Sequence, residues 1–463
     1  MIGLGGDASQ TLSPRSPSTD RRLAVAGPRA SLAKIQLRFS LWTWPLVACV
    51  LASLNYALQH RAGIEVNADG WAYWQGAQSI ADGLGYRYFS GDPIVAWPPL
   101  YSLYLSAWIK LCGSEAFVLI LANCVLIVTQ GIAWTYLCAC LLRECFEPVV
   151  LKYGALYIAL TVPLYEKSVL AHNLFYFILP IFIVAGWRAI ICSSQFCRRY
   201  VLLASVVGVV LVESHISGLV YIAAAAAFFL VFREGPLWPR AGGAFALLAV
   251  PSLALILTAW GLGEIGGHPI ERGRFSFAHT LSQVLTGIGD FVLLRPGQAI
   301  GGTCAIAMFG ILLQQSVERK FDRIGFVFLF TVGSLSLLAV AFSITWLNGV
   351  VSEPRHLLIV PLLVIPIIVS YFMSTKQLVM KTAAFLIFLA PVSKTLELDY
   401  SGAADHMVPI HASISQLPGV GKSLSINGKT LIGPTRWEEP EGGYSSSGAP
   451  RWGPLQRGGV RPR

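Results

Sequence analysis

The sequence predicts an all-α, polytopic transmembrane bundle of about eleven spans, with interfacial helices in its first outer loop and a small extracytoplasmic C-terminal tail. Three observations predict it. Of 463 residues, 55% are hydrophobic and only 13% charged, where a soluble domain carries roughly 25% charged residues. Apolar runs approaching the ~20 residues that a hydrocarbon core demands recur along the whole chain. The basic residues between those runs fall on one side of the membrane, which accounts for the net charge of +10 through the positive-inside rule and argues against a nucleic-acid partner.

The first 38 residues are rich in Ser, Pro, Gly and Arg without apolar periodicity, and read as a disordered, basic, cytosolic arm (1–38). The run at 39–58 has no small-residue cleavage site after it, so it predicts an uncleaved anchor. Further spans are predicted near 115–142, 149–164, 170–192, 200–214, 216–232, 241–262, 297–315, 324–346, 356–373 and 378–392. The segment PPLYSLYLSAWIKL (98–111) is short, opens with two prolines and ends near a lysine. If it does not span, then Arg143, Arg188, Arg198, Arg199, Arg233, Arg240, Arg319, Lys320, Arg323, Lys376 and Lys381 all share the side of the N-terminal arm. If it spans, all of them move to the other side, so it is placed as an interfacial or re-entrant helix. The transmembrane domain is then 39–392, with outer segments at 59–114 and 263–296 and an extracytoplasmic tail at 393–463. The tail has a mixed strand-containing first part and a Gly, Pro and Ser rich, disordered end. The nine cysteines form no CxxC pair and no metal-ligand spacing.

Ionisable residues near a membrane are functional candidates because burying them is expensive. The first outer loop holds the richest set, with Glu65, Asp69, Asp82 and Asp92 among Trp71, Tyr73, Trp74, Tyr86, Tyr88 and Trp97. Residues 69–81 suit a helix with Asp69 at its start, where a carboxylate caps free amides and complements the dipole. Capping alone accounts for such an aspartate. Asp82-Gly83 and Gly85 break that helix, and the aromatics beyond predict a concave platform suited to a sugar ring. In the next outer connection Glu166 supplies a second carboxylate, with Lys167, His172 and Asn173 beside it. A carboxylate pair can deprotonate an acceptor hydroxyl or hold a divalent metal such as Mg or Mn. Glu213-Ser214-His215 lies at an outer span end, within reach of a ligand head group. His268, Glu271, Arg272, Arg274 and Arg295 occupy a later outer loop, and Glu353, Arg355 and His356 the last one. Arg355 can snorkel to phospholipid head groups or grip a lipid-linked phosphate with its planar fork.

Asp69-Gly-Trp-Ala-Tyr73, Gly83-Leu-Gly85-Tyr86 and Trp97-Pro98-Pro99-Leu100-Tyr101, following an anchor, resemble the integral-membrane C-type glycosyltransferases. The branch is that of protein O-mannosyltransferases and lipid A aminoarabinose transferases. The resemblance covers roughly 39–392 and is concentrated in 65–104 and 352–361. It implies that Asp69 is, or assists, the catalytic base, that Glu166 is the second acidic residue, that Tyr73 contacts substrate and that PPLY opens an interfacial helix. Glu353-Pro-Arg355-His356 with Pro361 is similar to the family's Arg-Tyr element, with His for Tyr. Where the family has a basic residue near the end of the fifth span, this chain has Glu213-Ser-His215.

The expected activity is transfer of a sugar, with inversion, from a polyprenyl-phosphate donor to an acceptor hydroxyl on a glycan, lipid or protein, at the outer face of a bacterial cytoplasmic membrane. Asp69 and Glu166 would carry the chemistry. Tyr73, Arg355, His356, Arg272, Arg274, Glu213 and His215 would bind substrate. The N-terminus is placed in the cytosol and the C-terminus outside. A transporter or flippase for a lipid-linked substrate is the alternative; it predicts charges along a path through the bundle, whereas here they collect at the outer ends.

Overall fold

Inside a bilayer no water is at hand for backbone amides and carbonyls, so an apolar run must close its hydrogen bonds within itself. The computed structural model of the chain describes residues 28–61, 63–65, 68–88, 91, 93–94, 97–142, 146–165, 169–192, 194–261, 277–292, 298–318, 323–344, 356–396, 407–409, 413–417, 421–426 and 429–432. Each of the predicted apolar segments is helical there. In order they are α1 (Pro28–Gln59), β1 (Gly63–Glu65), α2 (Ala68–Ala81), α3 (Leu100–Cys112), α4 (Ala116–Leu142), α5 (Pro148–Tyr165) and α6 (Ala171–Ile191). Then follow α7 (Ser194–Ser214), α8 (Gly218–Phe232), α9 (Leu237–Gly261), α10 (Phe277–Val292), α11 (Gln298–Glu318) and α12 (Arg323–Ile344). A π turn (Val360–Val364) leads into α13 (Ile365–Ser374), and α14 (Leu378–Leu396) precedes strands β2 (Met407–Pro409), β3 (Ser413–Leu417), β4 (Gly421–Ile426) and β5 (Lys429–Ile432). Met1–Ser40 forms one unit, in which the described part is helical from Pro28; Leu41–Arg463 forms the other and contains the bundle, the first loop and the tail strands. Residues 1–27 of the basic arm and 433–463 of the tail lie outside the described residues.

Among the described residues four helices, α4, α6, α9 and α12, are long and apolar enough to cross a membrane. The chain is a membrane protein. Its outer apolar surface agrees: Trp44, Leu51 and Leu54 on α1 and Phe245, Leu253 and Trp260 on α9 are exposed, an arrangement that lipid tolerates and water does not. Helix α3 has 13 residues, about 20 Å of rise, short of a ~30 Å hydrocarbon core. Helix α10 arises in a segment read from sequence only as an outer loop. Thr280, Val284 and Ile288 are buried at four-residue spacing along it, and that stripe packs on α11 and α12.

The bundle core is built where α4 meets α5 and α6, α6 meets α7 and α8, and α5 meets α13 and α14. Prolines lie within several helices, Pro45 in α1, Pro180 in α6, Pro251 in α9 and Pro391 in α14, and near Pro180 and Pro366 side chains of α4 approach the backbone carbonyls. Pro180 in α6 has no N–H to give the Tyr176 carbonyl four residues earlier; the Trp134 indole of α4 donates to that carbonyl at 2.8 Å instead. Pro366 likewise leaves the Leu362 carbonyl in the π turn, and the Cys138 thiol of α4 approaches it at 3.9 Å. Pro366 also explains a close contact: a Cβ on Gly154 of α5 would stand 3.1 Å from the Pro366 carbonyl and from the Ser370 hydroxyl. A side chain at Gly154 would push α5 and α13 apart by a few tenths of an ångström.

One end of the bundle is closed by arginines. The Arg233 guanidinium donates to the carbonyls of Ala189 at 2.9 Å and Ile190 at 3.2 Å, and to that of Cys192, at the end of α6. Arg240 donates to Leu230 and, at 2.9 Å, to Val231 at the end of α8, and Arg323 donates at 2.9 Å to Cys140 at the end of α4. Each satisfies orphan carbonyls at the negative end of a helix dipole. Three residues of the predicted basic clusters therefore meet at one end of three helices.

Replacing Trp134 by Phe keeps an aromatic ring but strips the Tyr176 carbonyl of its donor in a buried setting. We expect Trp134→Phe to lower stability by about 1–3 kcal/mol, read as a fall in melting temperature of the purified protein in nanodiscs.

Candidate functional site

The site begins in the first loop. Helix α2 carries Asp69 in its first turn, where a carboxylate complements the helix dipole, and Asp69 is half-buried. After Ala81 the chain reverses through Gly83 (φ +76°) and Gly85 (φ +83°), left-handed conformations that glycine adopts without a Cβ clash. This return brings Tyr88 beside Asp69. Burial, and after it the negative charge of Asp69, push the Tyr88 phenol above its ordinary range, so Tyr88 keeps its proton next to the carboxylate. Asp82 is exposed and accepts from the Gln78 amide at 3.2 Å.

The loop aromatics form packing rather than an open platform. Trp71, Tyr73, Trp74 and Tyr86 are buried, while Tyr88 and Trp97 stay half-exposed. Tyr73 packs edge-on against Tyr101 of α3 at 5.3 Å and against Trp97 at 6.2 Å. The Ser102 hydroxyl donates to the Tyr73 carbonyl at 2.9 Å, fastening α3 to α2. This layer is hydrogen-bonded to the bundle at α4, where the Tyr104 hydroxyl of α3 donates to the Ala122 carbonyl at 2.7 Å. The Tyr101 hydroxyl donates to Asn123 Oδ1 at 3.0 Å, and Asn123 Nδ2 donates to the Tyr56 hydroxyl at 3.1 Å, so fully buried Asn123 of α4 joins α3 to α1.

Helix α3 also packs on α7, the helix that ends in Glu213 and Ser214. Three histidines meet at this end of the bundle. His172, in the first turn of α6, has its ring 4.1 Å from that of His215, in the turn between α7 and α8, and 5.1 Å from that of His356, just before the π turn. Phe175 and Phe342 pack against His215 and His356 at 5.8 and 5.0 Å. His172 and His356 are buried and His215 is half-buried. The Ser217 amide donates to His215 Nδ1 at 3.2 Å, so in the neutral ring the proton is on Nε2. Glu213 is turned away, accepting from Thr258 of α9 at 2.8 Å. Because α6 starts at the histidines and ends under Arg233, the two features mark opposite ends of the bundle.

The structure thus gathers His215 and His356, which the sequence singled out separately, and adds His172 between them. The signal for His172 was available: it is a histidine at the first turn of an apolar helix, the same position relative to a span that His215 and His356 hold. Tyr73 is a buried packing residue of the α2–α3 layer, and Glu213 faces α9. Glu166, Arg272, Arg274 and Arg355 lie outside the described residues, as do Lys167, His268, Glu271, Arg295, Glu353 and Asp92. No group of three His, Cys, Asp or Glu is placed to hold a metal ion among the described residues.

No protein-family profile matches this sequence, and no curated protein matches it. Among solved structures the chain is similar to ArnT from Cupriavidus metallidurans in the apo state, with a TM-score of 0.48 and 13% identity over 77% of this chain and 76% of that one. It is also similar to the same protein bound to undecaprenyl phosphate, with a TM-score of 0.49 and 14% identity over the same shares of 77% and 76%.

Asn123→Leu leaves the hydroxyls of Tyr56 and Tyr101 facing an apolar side chain. We expect a loss of about 1–3 kcal/mol, together with faster proteolysis in the 82–99 stretch as the α2–α3 layer loosens; limited digestion followed by mass mapping reads both its rate and its position.

Proposed function

We propose that this protein is a membrane-embedded glycosyltransferase that moves a sugar, with inversion, from a polyprenyl-phosphate donor to an acceptor hydroxyl. The observation that carries the reading is the half-buried Asp69 at the start of α2, beside protonated Tyr88, in a layer packed on the helix that leads to the histidines. Chemistry-bearing groups collect at this end, and arginines cap helices at the other.

Asp69 takes the proton of the acceptor hydroxyl as its oxygen attacks the anomeric carbon. The new C–O bond forms as the bond to the phosphate oxygen breaks, and the electron pair leaves with the lipid phosphate. Attack from the side opposite the leaving group inverts the anomeric centre. A phosphate needs little help in leaving when cations meet its charge, and Arg355, Arg272 and Arg274 are the residues assigned to that task. His215 and His356 contact the head group, Glu213 supports that helix end, and Tyr73 holds α2 in place under substrate. Glu166 orients the acceptor; no step is routed through a metal.

The arginine-capped end obeys the positive-inside rule if it faces the cytosol, which puts Asp69 and the histidines on the extracytoplasmic face of a bacterial cytoplasmic membrane. Pairing of β1 with β2, Gly63 opposite Pro409 and Glu65 opposite Met407, supports a C-terminal tail on the same side as the first loop, with the N-terminus in the cytosol. The bundle accounts for about eleven spans on this reading. Transport is the second reading, favoured by the interrupted helices α6 and α13, a feature of many transporters. Both interruptions, however, are filled by Trp134 and Cys138 of α4.

The test is transfer by purified protein in nanodiscs supplied with polyprenyl-phosphate sugars and membrane acceptors, following donor consumption by mass spectrometry. Asp69→Asn is expected to melt like the wild type and to transfer about 10²–10⁴-fold more slowly. Near-normal turnover by that variant rules out Asp69 as the base, and no donor consumed by folded wild type moves the assignment to transport.

A further inference from the structure

We infer that His172, His215 and His356 form a proton-linked binding site for a lipid phosphate, so that this chain grips its anionic ligand with imidazoles that charge on binding. The inference deepens the proposed function and rests on it for the ligand class. Its grounds are geometric. Three of the chain's eight histidines come from three separate places in the chain, the first turn of α6, the turn between α7 and α8, and just before the π turn. The His172 ring lies against each of the other two. Core packing does not require three imidazoles there; Phe175 and Phe342, against the outer two, show that apolar rings suit the same space.

The arrangement divides the roles. His215 accepts the Ser217 amide at Nδ1, which leaves Nε2 as its donating atom in the neutral ring. His172 and His356 can each take up a proton, but two adjacent cations repel in a low-dielectric setting. A phosphate removes that repulsion and receives charge-assisted hydrogen bonds. Binding then carries protons in with it, unlike binding by arginine or lysine, whose charge is permanent over the physiological range.

The other titratable groups on the surrounding elements are few. On α7, Glu213 is engaged with Thr258 of α9. On α6 and α8, Tyr176 and Tyr221 pack on Phe175 at 5.0 and 5.6 Å and stay neutral phenols in this range. Arg355 and Glu353 adjoin His356 in sequence and Lys167 precedes His172, outside the described residues. A fixed cation from Arg355 would add affinity that does not vary with pH, and the trio would add the part that does.

The experiment measures affinity in zwitterionic nanodiscs for a polyprenyl monophosphate, with the corresponding polyprenol and phosphatidic acid as parallel ligands. Wild type, His172→Gln, His356→Gln and Asp69→Asn are each measured at about pH 6 and about pH 8, on either side of the ordinary imidazole pKa. Wild type should bind the phosphate about tenfold more tightly at the lower pH relative to either histidine variant, about one charge-assisted contact. Ionisation of the lipid itself cancels in that ratio. Asp69→Asn should bind with the wild-type pH dependence, and the polyprenol should show none. Equal binding of polyprenyl phosphate and phosphatidic acid identifies the phosphate alone as what the trio reads; preference for the polyprenyl lipid adds chain recognition.

A ratio near one for folded histidine variants, checked by unchanged melting temperatures, overturns the inference. So does a wild-type pH dependence no different from that of the histidine variants. If the histidine-dependent pH effect is found but no sugar is transferred, the phosphate site stands and the glycosyltransferase reading falls. If transfer is robust and binding ignores the histidines, the reverse holds.

Discussion

A polar backbone in lipid must be satisfied by protein, and most of the distinctive contacts in this chain answer that demand. Where Pro180 and Pro366 deprive α6 and α13 of a donor, Trp134 and Cys138, both on α4, supply one. Where α4, α6 and α8 end, arginines reach the last carbonyls. Helix α4 is the common partner: the same helix holds Asn123, which ties in α1 and α3. The first loop is therefore mounted on the element that also repairs the interrupted helices, and the position of Asp69 depends on α4 being straight and well packed.

That mounting gives the molecule two unlike ends. At one end cations meet helix carbonyls, a use of charge that stabilises the helix termini and, by the positive-inside rule, fixes orientation during insertion. At the other stand a half-buried carboxylate beside a tyrosine, and three imidazoles. The tail strands add to the second end, since β2 pairs with β1 at the root of the first loop, where the sequence suggested only an appendage.

The apolar segments were legible because length and hydropathy in lipid leave helix as the sole economical choice for an open chain. The short α3 was legible from its two prolines and from the charge balance of the loops. Asp69 stood out as a carboxylate at a helix start, followed by glycine breaks that do take left-handed φ values. The aromatic residues misled in one respect: their number in the first loop suggested an exposed platform, yet Trp71, Tyr73, Trp74 and Tyr86 are buried, because a loop of this size has to build its own core. Helix α10 was hidden because its apolar residues, Leu281, Val284, Leu285 and Ile288, recur at three- and four-residue spacing and never form a long run.

The sequence by itself determined the solvent and the helices, since each depends on local composition or on spacing within one segment, and it singled out Asp69 as a carboxylate at a helix start. Tertiary structure alone decided that Trp134 answers Pro180, that Asn123 joins three helices, that Tyr88 stands beside Asp69, and that the His172 ring lies against those of His215 and His356. Those pairings join residues tens to hundreds of positions apart, and helix periodicity says which face of a helix is apolar without saying which helix it will meet.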